Sequence, residues 1–161
     1  MTRLAALTAF VVWFVAIQPL QAEEGCPFLS NAEVEELTGR KLELFKLTSM
    51  TLPDGAGTLC DSEIVRVVVL FGENSTSRLD DMMKEFGRDR EKRLPVSGLG
   101  EKAYAVHLEP RTQYESPTAL IVVTSESYTA SVSVRAKEGE PAKSAQPQAL
   151  ELLKIAISRI Q

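Results

Sequence analysis

Histidine is almost missing from this chain: His107 is the only one in 161 residues. Cysteine is scarce as well, with Cys26 and Cys60 alone, and their spacing is far wider than Cys-x-x-Cys. No second cysteine pair exists to complete a zinc site, and the calcium and haem patterns are absent too, so no metal or cofactor is expected. Basic residues do not predominate. Eighteen Lys and Arg face 22 Asp and Glu, a net charge of −4, which lacks the basic footprint of a nucleic-acid binder. Aromatic residues make up 6% of the chain, few for a protein that inhibits an enzyme through exposed aromatic anchors. The apolar run Leu4–Ile17 stops short of the roughly 20 residues of a membrane-spanning helix, so stable membrane insertion is not expected.

That short run is informative for another reason. Arg3 precedes it, and Gln18-Pro19-Leu20-Gln21-Ala22 breaks it and ends in a small residue. This is the layout of a secretory signal peptide, with cleavage expected after Ala22. Residues 23–161 then remain as one domain, about 139 residues long, in a periplasmic or secreted location. In an oxidising compartment the two cysteines have one pairing open to them, Cys26 with Cys60. Closing a loop of about 35 residues stabilises by about 3–4 kcal/mol on chain-entropy grounds.

After Cys26, Ser30 and Glu33 form a capping box for a short helix over Asn31–Thr38, which Gly39 ends. Leu42–Leu47 alternates as a first strand, Pro53 to Gly57 is turn chemistry, and Thr58–Cys60 resumes the sheet. Ile64–Phe71 is apolar and β-branched almost throughout, which predicts a central strand buried on both faces. Leu79, Met82, Met83 and Phe86 recur at helical spacing after a cap at Asn74 or Ser75. Core packing accounts for both methionines better than a copper site does. Arg88–Arg93 alternates in sign and reads as solvated surface.

The stretch from Val96 to Leu108 organises the rest of the chain. Gly98-Leu99-Gly100 bends the backbone into a strand with Ala103, Ala105 and His107 on one face and Tyr104, Val106 and Leu108 on the other. His107 is placed toward solvent or a shallow groove. Thr118–Thr124 and Tyr128–Arg135 complete an antiparallel meander around the hairpin Ser125-Glu126-Ser127, with Thr129, Ser131 and Ser133 facing water. A closing helix starts at Ser144 or Gln146, its buried stripe Leu150, Leu153, Ile157 and Ile160 joined by Ala149 and Ala156. The fold class is α+β, a twisted antiparallel sheet of about five to six strands with three helices packed on one face.

Residues for chemistry are few. Ser97 lies outside any Gly-x-Ser-x-Gly elbow, Gly98-Leu99-Gly100 lacks the third glycine and helix of a nucleotide fingerprint, and the carboxylates lie in helix faces and turns. An enzyme is not expected. A hydrolase of unfamiliar type would have to gather Ser97 or His107 with a carboxylate. The surface best suited to contact is the loop Glu109–Pro117, where Arg111, Gln113 and Tyr114 mix charge, amide and aromatic character.

Cys26, Leu29, Gly39, Cys60 and the run from Gly98 to Tyr104, in that order, resemble a family of small exported actinobacterial domains of unknown function, many of them lipoproteins. That family's signature is a Cys-x-Leu-Leu start, a helix ending in glycine, a later cysteine, and Gly-Leu-Gly-Asp-x-Ala-Tyr before a strand meander and final helix. Two departures stand out. Asp61 and Ser62 occupy positions where the family often has an aromatic, and Glu23-Glu24-Gly25 before Cys26 are unsuited to lipidation. The resemblance implies an exported α+β fold and carries no catalytic residue. The expected function is a non-catalytic binding or accessory module of the cell envelope, engaging a protein partner or small ligand. The rival expectations are a secreted inhibitor of an enzyme and a hydrolase.

Overall fold

The computed structural model describes residues 25–52, 55–72, 74–85, 87–88, 90–99 and 102–160. The proposed leader, residues 1–22, lies outside them, as do Pro53, Asp54, Phe86 and Gly100. Three α-helices are described: α1 (Asn31–Thr38), α2 (Ser75–Glu85) and α3 (Gln146–Ile157). They accompany seven strands, β1 (Lys46–Leu52), β2 (Gly55–Asp61), β3 (Val65–Phe71), β4 (Leu94–Pro95), β5 (Ala103–Leu108), β6 (Thr118–Thr124) and β7 (Tyr128–Arg135). A 3-10 turn over Ala142–Ala145 leads into α3.

The strands form one sheet in the order β1-β2-β3-β7-β6-β5-β4, every neighbouring pair antiparallel. The α+β architecture therefore stands, with seven strands in place of five or six. The central position belongs to β7, which returns from the meander to pair with β3 along its whole length, Val65 opposite Val134 and Phe71 opposite Tyr128. The two-residue strand β4 closes one edge with Pro95, where a missing N–H costs least.

The helices do not share one face, contrary to expectation. On one side Val67, Val69, Ala105, Ile121 and Val132 pack under α1 and α3. On the other, Val68, Leu70, Val106, Leu120 and Val122 pack under Leu79 of α2, with Met82 and Met83 alongside. The physical reason is in β3 itself: an apolar run without alternation needs cover on both faces. This is also why Thr129 and Ser131, expected to face water, are 1% and 3% exposed. They lie beneath α2, and the Ser75 and Thr129 hydroxyls are 2.9 Å apart, so one satisfies the other in an apolar setting.

Local chemistry explains the remaining elements. Ser30 Oγ accepts from the Glu33 amide at 3.3 Å while Glu33 Oε2 accepts from the Ser30 amide at 2.8 Å, a complete capping box on α1. Arg159, just beyond α3, donates to both Glu33 oxygens at 2.5 and 2.9 Å and to the Phe28 carbonyl at 3.0 Å, clasping the two helical ends together. The Arg159 guanidinium is the main reason the Glu33 carboxyl is lowered to about 2, against an opposing contribution from burial.

Two further expectations shift, and two hold. The first strand begins at Lys46, because Leu42 and Phe45 are buried in an irregular segment, while Leu44 and Leu47 are exposed. The stripe of α3 is Ala149, Leu152, Leu153 and Ala156, with Leu150, Ile157 and Ile160 only partly covered. Its two alanines let the helix approach the sheet closely. Gly98 takes φ +85°, so the bend before β5 does use a conformation that suits glycine. The Cys26–Cys60 disulfide is formed, its Cα atoms 5.5 Å apart, and fastens the segment before α1 to β2.

Candidate ligand cleft

Eleven residues of α2 make a rod about 16 Å long, a single helix that covers only part of this face of a seven-stranded sheet. Ser75 pins its start to Thr129, and Ser133 lies four residues further along β7, about 14 Å away. Exposure nevertheless increases along the strand: Thr129 and Ser131 are buried, Ser133 is half-buried and Arg135 is exposed. There the surface opens into a cleft of about 400 Å³, within the usual range for small-molecule sites. Val68, Leu120, Ser131 and Ser133 form its floor, Leu79, Met82 and Met83 one wall, and Arg88, Tyr114 and Glu115 the other, with Arg66 and Arg135 at the rim.

The second wall is held by ion pairs. Helix α2 ends in a Schellman motif, with Gly87 at φ +63° donating to the Lys84 carbonyl and Arg88 donating to that of Met83. This aims the Arg88 side chain inward, where it is only 12% exposed and donates to Glu91 Oε1 at 3.0 Å and Glu115 Oε2 at 2.5 Å. The run Arg88–Arg93 is thus not simply solvated. Arg93 also pairs with Asp80 at 2.5 Å and lies 4.8 Å over the Tyr104 ring. Burial raises the Tyr104 hydroxyl pKa, with Arg93 opposing.

The three residues singled out in the 109–117 loop separate. Tyr114 stands at the cleft mouth and is 89% exposed. Arg111 is a brace: its guanidinium donates to the Gly87 carbonyl at 2.6 Å and to Glu91 at 2.8 Å, tying the loop to the exit of α2. Gln113 is exposed and does not line the cleft.

His107 lies on the face covered by α3, opposite to the cleft, where Nε2 is 2.6 Å from Gln146 Oε1. The groove or solvent position expected for it is replaced by a partner at the start of α3. Ser97 follows the Val96 amide, which donates to the Ala103 carbonyl, at the other end of β5. Four residues of strand, about 13 Å, separate Ala103 from His107, so the two are not brought together. Both cysteines are bonded to each other. Among the described residues, no group of three or more His, Cys, Asp and Glu gathers in a metal-ligand arrangement.

Sequence reading missed Ser131, Ser133 and Arg135 as lining residues. Their signal was the small-polar side of β7 beside an amphipathic helix with no other place to pack. Compared with known proteins, the chain matches no family model, no curated protein and no solved structure.

Proposed function

We propose that this chain is an exported, non-catalytic binding module of the cell envelope, in the periplasm or outside the cell, whose ligand sits in the cleft beside α2. The observation that carries the reading is the cleft itself: an aliphatic and thioether lining over two serine hydroxyls, on a sheet packed on both faces. Two of its arginines are held in ion pairs, which suits a scaffold for recognition. The leader-like start, the bridge and the resemblance to small exported domains support the location. No described helix is long and apolar enough to cross a membrane.

The test uses the neutral, environment-sensitive dye N-phenyl-1-naphthylamine with purified protein. Fluorescence should rise on binding, and Ser133→Trp, which fills the floor, should weaken binding about tenfold or more, a loss of over about 1.4 kcal/mol. Circular dichroism checks that the variant is folded. Equal binding by both proteins refutes the cleft as the site. A second reading, contact with a protein partner through the loop, is favoured by Tyr114 projecting at the mouth; Tyr114→Ala should abolish capture of such a partner while circular dichroism shows the variant folded.

A further inference from the structure

Resting on the reading of the cleft as the ligand site, we infer that its ligand class is a small amphiphilic monoanion: a carboxylate with an aliphatic body. The charge of the lining points there. Arg66, Arg88 and Arg135 face the cleft against Asp61 and Glu115, one positive charge in surplus. Asp61 takes Arg66 through two hydrogen bonds of 2.9 and 3.2 Å, and Glu115 and Glu91 take Arg88. Arg135 has no carboxylate partner among the described residues. Its backbone is fixed, the amide donating to the Ile64 carbonyl at 2.9 Å and the carbonyl accepting from Arg40 at 2.8 Å. The free guanidinium is thus presented from a rigid strand end, and a guanidinium forks naturally onto a carboxylate.

The strand register arranges polarity in a gradient. Arg135 lies opposite Thr118, and the next step inward places Ser133 between Arg66 and Leu120. Neither the Ser131 nor the Ser133 hydroxyl bonds another described side chain, so both are free to donate to a ligand oxygen. Val68 lies directly opposite Ser131, and with Leu79 and Met82 of α2 it offers only apolar contact. A headgroup at Arg135 with its aliphatic part under α2 satisfies both ends. A dianion would lack a second free cation, and a cationic amphiphile would meet Arg135 head on.

Competition against bound N-phenyl-1-naphthylamine tests this with decanoate, decanol and decyltrimethylammonium at low salt. Decanoate should displace the dye at a concentration about tenfold or more below that of decanol, the scale of one hydrogen bond to a charged group. The cation should be weakest, and the decanoate advantage should shrink as salt is raised. In Arg135→Gln the advantage of decanoate over decanol should fall within about threefold, and Arg135→Lys should keep part of it. Decanol equalling decanoate, or an advantage that survives Arg135→Gln, overturns the anion assignment and leaves the cleft reading standing. Failure of every amphiphile, together with failure of the dye to bind, overturns both.

Discussion

Replacing Cys26 and Cys60 together with alanine should lower unfolding free energy by about 4 kcal/mol. The bridge closes a loop of 34 residues, for which the chain-entropy treatment gives about 13 cal/mol/K of unfolded-state entropy removed. Alanine is the substitute of choice because Cys60 is fully buried, and serine there would add the cost of an enclosed hydroxyl. The native fold should survive the change. Strand β2 stays paired with β1 from Lys46–Asp61 to Leu52–Gly55, and Arg159 still clasps the segment before α1 through Glu33 and Phe28. The loss should therefore appear as an earlier cooperative transition. In urea, with a slope of about 1–2 kcal/mol/M, the midpoint should fall by roughly 2–4 M. The slope itself should rise, since an unfolded chain without the tether exposes more surface. Circular dichroism followed through a urea titration of native and double-alanine proteins reads both quantities. A midpoint shift under about 0.5 M would mean the bridge does not constrain the unfolded chain as reasoned. Loss of the cooperative transition would mean it holds native structure that the sheet and the Arg159 clasp do not.

Other outcomes follow from single contacts. Because Glu33 titrates near 2 when folded against an ordinary 4.5, the clasp contributes in full above about pH 4.5 and its contribution is lost as pH falls toward 2. Arg159→Met should remove about 1 kcal/mol at neutral pH, the scale of a partly exposed pair, and flatten that acid limb; an unchanged limb in an acid titration would refute the assignment. Thr129→Val strands the buried Ser75 hydroxyl and should cost about 1–2 kcal/mol in urea unfolding, whereas adding Ser75→Ala should recover part of it. If the double variant is worse than the single one by the full cost of a second site, the two hydroxyls do not depend on each other. Leu79→Ala, at the centre of the α2 face, should cost about 2–4 kcal/mol by thermal or urea melting. Gly55→Ala would place a Cβ 2.1 Å from the Phe71 carbonyl oxygen and should destabilise by about 1–3 kcal/mol, and a neutral result would contradict the packing of that hairpin on β3.

What the sequence carried most clearly was local. Ser30 and Glu33 cap α1 with no help from the rest of the chain, and the hairpin at Ser125–Ser127 is set by its own turn, with the Ser125 amide donating to the Tyr128 carbonyl at 2.8 Å. Two cysteines admit one bridge. Properties that depend on which surfaces meet were harder to read. The alternation of Tyr128–Arg135 suggested a strand with one wet face, because threonine and serine satisfy water as readily as each other. Only with α2 placed over Thr129 and Ser131 does that polar side become an enclosed one, while Ser133 and Arg135 further along the strand stay accessible and line the cleft. The information was nonetheless present in β3. Val67 and Val69 cannot reach the side occupied by Val68 and Leu70, so four consecutive apolar residues demand a second layer, and Leu79, Met82 and Met83 supplied an amphipathic stripe to form it. The cleft is a consequence of that second layer being smaller than the sheet it covers.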